Sequence, residues 1–372
     1  MLNIFKKKPN IIMILLDGAR CNALEKVPYF AELKKESVFF SKMITYAPYT
    51  IASLHASFSG IYGNKNGVDG YYKAFSFKKE ECFTLPQYLK EEGYYTECDL
   101  IRGDTVPSGG FDKVAVHDEF NDDLVVRHCE ILKRIKSKQP FFLFLDYSKL
   151  HTNLVQNVIK KHTDFDESYF KNKDKNFESY IKYLDVSAVY LKSVLDEIKN
   201  LGLMENSVVL VFNDHGTSVG DRFGERNYGI FLYDYTIRCF LYMIGKNIPK
   251  NIEVKSLIRS IDMMPTILDI VGIKEKKDCM KMQGKSLLPM ISGKEENRIA
   301  YSETGGLGGP NPSPQKHNIK SIRTGKWKLI FNETTGAKEL YDLEQDKEEK
   351  NNLIGKSKET ENYLWGLLES EQ

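Results

Sequence analysis

Short runs of consecutive apolar residues are the feature that most constrains the fold of this chain. Several are apolar on successive rather than alternate positions, as is typical of strands buried on both faces of a sheet. Between them lie segments with the apolar spacing of amphipathic helices. The strand candidates are Ile11–Leu16, Tyr94–Cys98, Phe141–Leu145, Val208–Phe212 and Cys239–Ile244, and the helix candidates are Val27–Glu36, Thr84–Glu92, Leu124–Ile135, Glu178–Leu201 and Ser260–Val271. This alternation predicts an α/β fold in which helices sandwich a mostly parallel sheet.

The pattern of the chain changes near residue 297. Three short strand candidates follow, with Thr324 and Gly325 as a tight turn between the last two, and a helical stretch comes after them. These segments are Ile299–Ser302, Ile319–Arg323, Trp327–Phe331 and Glu359–Glu371. We therefore expect a large α/β domain over residues 1–296 and a C-terminal subdomain over 297–372, with a small antiparallel sheet and one covering helix. The polar, aperiodic residues 152–178 are expected to form a loop or lid.

Charge and cysteine content exclude some partners. The 372 residues include 53 Lys and Arg against 51 Asp and Glu, a formal charge of +2, so we expect neither a nucleic-acid surface nor an anionic-membrane surface. The six cysteines are scattered without a Cys-x-x-Cys pair, which is typical of free thiols in a reducing compartment. The apolar run Ile11–Leu16 is too short for a secretory signal or a membrane span. These observations predict a cytoplasmic protein without a membrane span.

Two acidic residues follow predicted strands. Asp17 closes the first strand, and Asp214 closes the strand Val208–Phe212 with His215 beside it. Ligands of open α/β sheets gather at the carboxyl ends of the strands, and an Asp–His pair after an apolar strand is costly without a partner. Oxygen ligands with one imidazole suit Mn²⁺, Zn²⁺, Mg²⁺ or Ca²⁺. The pattern predicts a site for one divalent metal ion.

Thr50 stands before a run of small residues that can form a helix of little bulk. A hydroxyl at a helix N-terminus can help to hold an anion, and a nearby metal ion can lower its pKa and make it a nucleophile. The alternative interpretation is an ordinary helix N-cap.

Taken in order, these motifs resemble the sulfatase-like branch of the alkaline phosphatase superfamily over nearly the whole chain. PNIIMILLDGAR is similar to the opening strand with its metal ligand Asp17, and APYTIASLHASFSGIYGNKNGV places Thr50 at the nucleophile position. PFFLFLDYSKLHT resembles the strand before a substrate-binding histidine, here His151, and VVLVFNDHGTSVGD matches the metal pair Asp214 and His215. Later landmarks of the family are similar to IDMMPTILDIVGI, GKSLLPMISG, IRTGKWKLIF and ELYDLEQDKEEKNNL. The resemblance implies an alkaline-phosphatase-like catalytic domain with a small C-terminal subdomain.

The chain departs from the family pattern at several positions. True sulfatases carry a cysteine or serine that is converted to formylglycine, within a Cys-x-Pro-Ser-Arg-like sequence, whereas this chain has Thr50 followed by Ile-Ala-Ser-Leu. A threonine cannot become formylglycine, and Gly18 stands where sulfatases tend to have a second aspartate. Asp146 and Tyr228 stand where relatives often have histidines. Threonine implies instead a phosphodiesterase, or a transferase of phosphoglycerol or phosphoethanolamine.

The resemblance implies a single metal ion, held by Asp17, Thr50, Asp214 and His215. In the expected mechanism Thr50 attacks phosphorus and forms a covalent phospho-threonine intermediate. His151 stabilises charge on the transferring group or on the leaving oxygen. The expected substrate is a small-molecule or glycan phosphate ester, and water or an alcohol acceptor decides between hydrolase and transferase.

Arg20 and Lys149 are predicted to contact the substrate anion. A second metal ion is an alternative, which Asp146, His151 and His317 would hold.

Two other functions stay open at this stage. One is a sulfatase or phosphonate hydrolase, and the other is an inactive relative that binds an anionic glycan.

His117 and His128 are expected to be solvent-exposed or satisfied core groups. The sequence leaves the metal identity and the oligomeric state undetermined.

Overall fold

The computed structural model describes residues 7–161, 167–294, 296–305 and 319–372. Its strands are β1 Asn10–Leu16, β2 Val38–Ile44, β3 Tyr95–Leu100, β4 Lys113–Val116, β5 Phe141–Tyr147, β6 Ser207–Phe212, β7 Arg238–Ile244, β8 Ile252–Val254, β9 Ile258–Arg259, β10 Ala300–Thr304, β11 Ile319–Arg323, β12 Trp327–Asn332 and β13 Lys338–Asp342. Its α-helices are α1 Pro28–Lys35, α2 Thr50–Ser59, α3 Gly63–Asn66, α4 Leu85–Glu91, α5 Leu124–Ile135, α6 Lys149–Asn157, α7 Ser168–Lys171, α8 Lys173–Asn200, α9 Asp234–Ile237, α10 Met263–Val271, α11 Leu288–Ile291 and α12 Lys358–Glu371.

The larger sheet is mixed and mostly parallel, in the order β4-β3-β5-β1-β6-β7-β2-β8, with β9 paired to β2. Strand β7 runs antiparallel to both of its neighbours. The other pairings of this sheet are parallel. The predicted α/β fold with a mostly parallel sheet is therefore confirmed.

Two apolar layers cover the sheet because successive residues of its central strands face opposite sides. In β1, Ile12 and Ile14 belong to the layer built with α1, α5, α6 and α8. Ile11 and Met13 face the other layer, built with α2, α4 and α10. Strands β1, β5 and β6 are buried along their whole length, which explains their continuous apolar runs.

The prediction of a loop or lid over residues 152–178 is wrong for most of the described residues of this segment. Helix α6 extends to Asn157, and α7 and α8 occupy residues 168–171 and 173–200. The early turns of α8 are mostly polar because only Asn176 and Tyr180 are buried there, so apolar spacing gives little signal. The sequence also missed β2, β4, β8, β9 and β13.

The predicted C-terminal antiparallel sheet is confirmed, with four strands in the order β10-β11-β12-β13. Leu364 and Leu368 of α12 belong to the same apolar cluster as Leu329 of this sheet and Ala52 of α2. The boundary at residue 297 stays a prediction.

Among the described helices, none combines the length and apolar character needed to cross a membrane. All six cysteines are free thiols.

Candidate active site

Three neighbouring parallel strands deliver three buried carboxylates to one edge of the sheet. Asp17 follows β1, Asp146 is the sixth residue of β5, and Asp214 lies two residues beyond β6. Strand β1 lies between β5 and β6, and Leu15 is in register with Asp146. The three side chains are at most 4% exposed. The sequence predicted this placement for Asp17 and Asp214.

His215 joins two of these carboxylates. Its Nε2 lies 3.5 Å from Oδ1 of Asp17 and 3.5 Å from Oδ2 of Asp214. Its Nδ1 lies 2.7 Å from the carbonyl oxygen of Gly216, which can only accept, so Nδ1 carries the proton in this hydrogen bond. Nε2 is therefore the nitrogen that faces the two carboxylates, the position from which an imidazole can ligate a metal ion beside them.

Thr50 completes the group from the N-terminus of α2. Its Oγ1 lies 3.2 Å from Nε2 of His215, and Thr50 is the first residue of the helix, with Tyr49 at the N-cap position. The hydroxyl of Ser53 donates to the carbonyl oxygen of Asp214 at 2.9 Å. This bond ties α2 to the segment that carries His215, so the threonine and the imidazole are held together.

The donor atoms fit a divalent cation. Oδ1 of Asp17 and Oδ2 of Asp214 are buried without a hydrogen-bond partner in the part of the chain that the structure describes. Burial, followed by the charges of Asp214, Asp146 and Glu119, raises the pKa of Asp17 well above its usual value. Such a cluster is costly without a compensating positive charge. Asp17, Asp214 and His215 have ligand atoms within 4.8 Å of one another, and the Thr50 hydroxyl lies beside them.

His151 and Tyr228 form one wall of this group. The Tyr228 ring is centred 4.4 Å from the His215 ring and 5.2 Å from the His151 ring. Burial and the neighbouring His215 lower the pKa of His151 to about 3, so its imidazole is neutral, and its Nδ1 has no hydrogen-bond partner among the described residues. Burial also raises the pKa of Tyr228, whose hydroxyl is hydrogen-bonded to Tyr71.

Asp146 is the third carboxylate of this edge. Its Oδ2 accepts a hydrogen bond from the backbone of Ile101 at 3.1 Å, whereas its Oδ1 has none from the described residues. Burial raises its pKa to about 7 despite the nearby His117. The second-metal alternative also needs His317, which lies outside the described residues, and so it stays a prediction.

Arg20 and Lys149, which were predicted to contact the substrate anion, form hydrogen bonds to other groups of the protein. The guanidinium of Arg20 is buried. It donates hydrogen bonds to the Asp221 carboxylate at 2.7 Å and to the Thr217 carbonyl at 3.2 Å. This pairing counts against direct contact between Arg20 and a substrate. Nζ of Lys149 donates to the carbonyl of Phe120 at 3.1 Å. Substrate binding by either residue stays a prediction.

Asn213 is a positioning residue that the sequence analysis missed. Its amide donates to the carbonyl of Ala19 at 2.6 Å and to that of His215 at 3.0 Å, and its Oδ1 accepts from the backbone of Phe240 at 2.8 Å. One buried amide therefore connects the loop after β1, the loop after β6 and strand β7. In the sequence, the only indication of this positioning role is that Asn213 stands directly before the Asp–His pair.

A second group of possible metal ligands lies at Asp99, His117 and His128. Oδ2 of Asp99 is 3.3 Å from Nδ1 of His117 and 3.0 Å from Nε2 of His128. Arg127 binds both carboxylate oxygens, at 2.7 and 2.8 Å, and its guanidinium already balances the charge. Both histidines are therefore buried core groups. Both ring nitrogens of His128 have hydrogen-bond partners, as expected for a satisfied core group, whereas Nδ1 of His117 has none among the described residues.

Two family profiles match this chain. The profile described as sulfatase matches residues 9–273, well over half of the sequence, and the chain belongs to the sulfatase family. A profile described as the C-terminal region of N-sulphoglucosamine sulphohydrolase matches residues 228–369. Members of this family typically bind a divalent metal ion, in agreement with the donor set of the site.

Individual relatives are distant. Arylsulfatase K of Bos taurus is 28% identical over 227 residues, which cover 56% of this chain and 40% of that protein; the chain thus spans less than half of that relative's length. The structure of a 2-O GAG sulfatase superposes with a TM-score of 0.83 at 18% identity, covering 98% of this chain and 92% of the other. The phosphonate monoester hydrolase of Agrobacterium radiobacter gives a TM-score of 0.75 at 14% identity, covering 97% and 94%. At these identities the two structures establish the fold alone.

Proposed function

We propose that this sulfatase-family protein cleaves phosphate esters with Thr50 as its nucleophile. The observation that carries the proposal is the 3.2 Å contact between Oγ1 of Thr50 and Nε2 of His215, whose other nitrogen is bonded to a carbonyl. A hydroxyl this close to the metal-facing nitrogen of His215 can bind the same cation, and a hydroxyl bound to a metal ion is an activated nucleophile. Because residue 50 is a threonine, the formylglycine route of sulfate-ester hydrolysis does not apply to it.

Asp17, Asp214, His215 and Thr50 would hold the divalent cation. When bound, such an ion lowers the pKa of a ligating hydroxyl and offsets the negative charge of the phosphoryl oxygens. The chain itself positions Oγ1 of Thr50 through the Ser53–Asp214 hydrogen bond, which ties α2 to the segment that carries His215. The N-terminus of α2 directs free backbone N–H groups toward a bound anion.

The proposed reaction has two steps. The Thr50 hydroxyl loses its proton to solvent as its oxygen forms a bond to phosphorus. The bond to the leaving oxygen breaks, and that oxygen takes up a proton from solvent. Water or an alcohol then attacks phosphorus and releases Thr50, which recovers its proton. Neutral His151 can form a hydrogen bond to the transferring group or to the leaving oxygen through its free Nδ1. The Tyr228 hydroxyl keeps its proton because burial raises its pKa.

A glycan or small-molecule ester is the proposed substrate. The 2-O GAG sulfatase that shares this fold supports a sugar ester, and the phosphonate monoester hydrolase supports attack at phosphorus within the same fold. The reaction can be hydrolysis or transfer to an alcohol, according to which acceptor reaches the phospho-threonine.

Sulfate-ester cleavage is the second candidate, because the named relatives are mostly sulfatases. It would require sulfate transfer to the threonine hydroxyl itself. The divalent cation that these residues would hold would offset the charge of either anion. The two candidates therefore differ in the electrophile and not in the residues that hold it.

Thr50 variants test the proposal. Bis(p-nitrophenyl) phosphate and p-nitrophenyl sulfate are compared as substrates with added Mn²⁺ or Zn²⁺. Thr50→Ala should reduce phosphodiester turnover by about a thousandfold or more, since nucleophile and ligand are lost together. Thr50→Ser, which keeps the hydroxyl, should retain activity within about tenfold, and Thr335→Ala on the exposed loop after β12 serves as the control.

Mass spectrometry of acid-quenched enzyme should find phosphate on the peptide that contains Thr50. Full phosphodiester turnover by Thr50→Ala would overturn the nucleophile assignment. Turnover of the sulfate ester in preference to the phosphodiester, lost in the same variant, would favour the second candidate.

A further inference from the structure

The connecting segment between α10 and α11, residues 272–287, packs against the chain at the start of α4. The backbone N–H of Met280 donates a hydrogen bond to the carbonyl oxygen of Glu81 at 2.7 Å. Further along, the backbone N–H of Lys276 donates to the Tyr88 hydroxyl at 2.9 Å. The residue number falls along the connecting segment as it rises through α4, so the two parts of the chain run in opposite directions.

Two cysteines flank the first of these hydrogen bonds. Cys279 directly precedes Met280, and Cys82 directly follows Glu81. A disulfide joins residues whose Cα atoms lie about 4.4–6.8 Å apart, and residues that flank one hydrogen bond between antiparallel segments lie on that scale. Both thiols are free. We infer that Cys82 and Cys279 form a reversible disulfide with each other when the protein meets a thiol oxidant such as oxidised glutathione.

Contacts on both sides of the pair hold the two segments together. The hydrogen bond of Met280 lies on one side. On the other side, the Lys276 ammonium lies 4.1 Å from the centre of the Phe83 ring, and Phe83 directly follows Cys82. The charge of Cys279 is among the causes that raise the pKa of Cys82, of which burial is the largest. The two thiols are therefore held near each other in the folded chain.

The two thiols differ in access to an oxidant. Cys82 is 1% exposed and has its pKa raised to about 11 by burial, whereas Cys279 is only half-buried and meets the oxidant first. The Cys279 thiol loses its proton to solvent, and its sulfur attacks one sulfur of oxidised glutathione. This step forms a mixed disulfide and releases one glutathione thiolate.

The second step closes the bond within the protein. The Cys82 thiol loses its proton to solvent, and its sulfur attacks the Cys279 sulfur of the mixed disulfide. The bond between Cys82 and Cys279 forms, and the second glutathione leaves as a thiolate. One oxidised glutathione is thus reduced for each protein disulfide that forms.

The remaining cysteines are less suited to this reaction. Cys98 and Cys239 are wholly buried. Cys21 is also buried, and its Sγ donates to the carbonyl oxygen of Ser41 at 3.3 Å. Cys129 is half-buried, but it lies on α5, which packs on the opposite face of the sheet from α4 and α10. Access and a neighbouring thiol therefore occur together at Cys279.

The disulfide would fasten the end of α2 that lies opposite Thr50. The backbone N–H groups of Gln283 and Gly284 both donate to the carbonyl oxygen of Gly60 at 2.9 Å, and Gly60 is the C-cap residue of α2. The Gln283 side chain accepts from the backbone N–H of Tyr62 at 2.9 Å. The connecting segment thus supports this helix end, and a covalent bond to the start of α4 would restrain it. The bond would also restrict the unfolded chain, because it joins residues far apart in sequence.

Glutathione buffers of increasing oxidised fraction test the pair in the full chain. After equilibration, free thiols are alkylated in urea, and proteolytic peptides are compared by mass spectrometry with and without reductant. We expect one cross-linked peptide pair that contains Cys82 and Cys279 and is lost on reduction. Cys279→Ser should abolish this species, and because the side chain is half-buried the variant is expected to fold. The matched control is Cys129→Ser, also at a half-buried cysteine, which should leave the cross-link unchanged.

Urea unfolding gives a second measurement. The oxidised protein should unfold at a urea concentration about 1 M higher than the reduced protein, and Cys279→Ser should show no such shift. Alkylation of both thiols at every glutathione ratio, or a cross-link that joins other cysteines, would overturn the assignment of the pair. Equal midpoints for the oxidised and reduced proteins would overturn the stabilising restraint. Neither measurement depends on the reaction at Thr50.

Discussion

Gly18, the residue after the metal-ligand candidate Asp17, should resist every substitution. Its φ is +72°, in the left-handed region, and a Cβ built on it would lie 2.8 Å from Oγ1 of Thr217. That hydroxyl donates to the carbonyl oxygen of Gly18 at 2.9 Å. A side chain at position 18 would therefore displace the Thr217 hydroxyl.

The cost of Gly18→Ala has two parts. A residue with a Cβ in the left-handed conformation costs roughly 1–2 kcal/mol. Moving the Thr217 hydroxyl away forfeits its hydrogen bond, about 0.5–1.5 kcal/mol. We therefore expect the free energy of unfolding to fall by about 2–3 kcal/mol.

Gly202 offers a matched control. Its φ is +70°, yet no atom lies within 4 Å of the Cβ position, so Gly202→Ala should show the conformational cost alone. The difference between the two alanine variants then measures the contact with Thr217. In a double-mutant cycle, Thr217→Ala should make Gly18→Ala less costly by about 1 kcal/mol, because the obstructing hydroxyl is gone.

Urea unfolding followed by circular dichroism at constant pH, without added divalent cation, measures all four variants. If Gly18→Ala and Gly202→Ala agree within about 0.5 kcal/mol, which is the usual limit of additivity, the role of Thr217 is refuted. Wild-type stability of Gly18→Ala would refute the conformational argument as well.

Two further predictions concern buried carboxylates. Burial raises the pKa of Glu225 to about 7 against hydrogen bonds from the backbone of Phe231 and the hydroxyl of Tyr235. Glu225 therefore stabilises the fold below its unfolded-state pKa of 4.5, and this contribution is lost as the pH rises through 7. Relative to wild type, Glu225→Gln should gain up to about 3 kcal/mol of unfolding free energy between pH 4.5 and pH 8, measured in urea titrations. A difference between the two proteins that does not change with pH would contradict this prediction. For Asp99, burial alone would raise the pKa, but the adjacent His117 and the hydrogen bonds from His128 and Arg127 outweigh it and hold the pKa below its usual value. Its stabilisation is therefore present above the unfolded-state pKa of 3.8 and is lost in stronger acid. Asp99→Asn should cost about 3–5 kcal/mol of unfolding free energy at pH 7, and the difference from wild type should shrink in acid-unfolding curves below pH 4. Equal stability of the two proteins at pH 7 would contradict this prediction.

The sequence by itself determined the central architecture. Strands buried on both faces must be apolar at successive positions, so β1, β5 and β6 were visible as runs, and polar residues at their ends marked the edge where ligands collect. Asp17, Asp214 and His215 were found in this way because the signal is local: an apolar run followed at once by a carboxylate.

Tertiary structure decided the rest of the site, because the contacts that matter join residues far apart in the chain. Nothing near Arg20 in sequence reveals that Asp221, 201 positions later, takes its guanidinium. Packing sets the place of Tyr228 between two imidazoles, and the carbonyl of Gly216 decides which nitrogen of His215 faces the carboxylates. Apolar periodicity reports which face of an element is buried, and it carries no information about which partner that face meets.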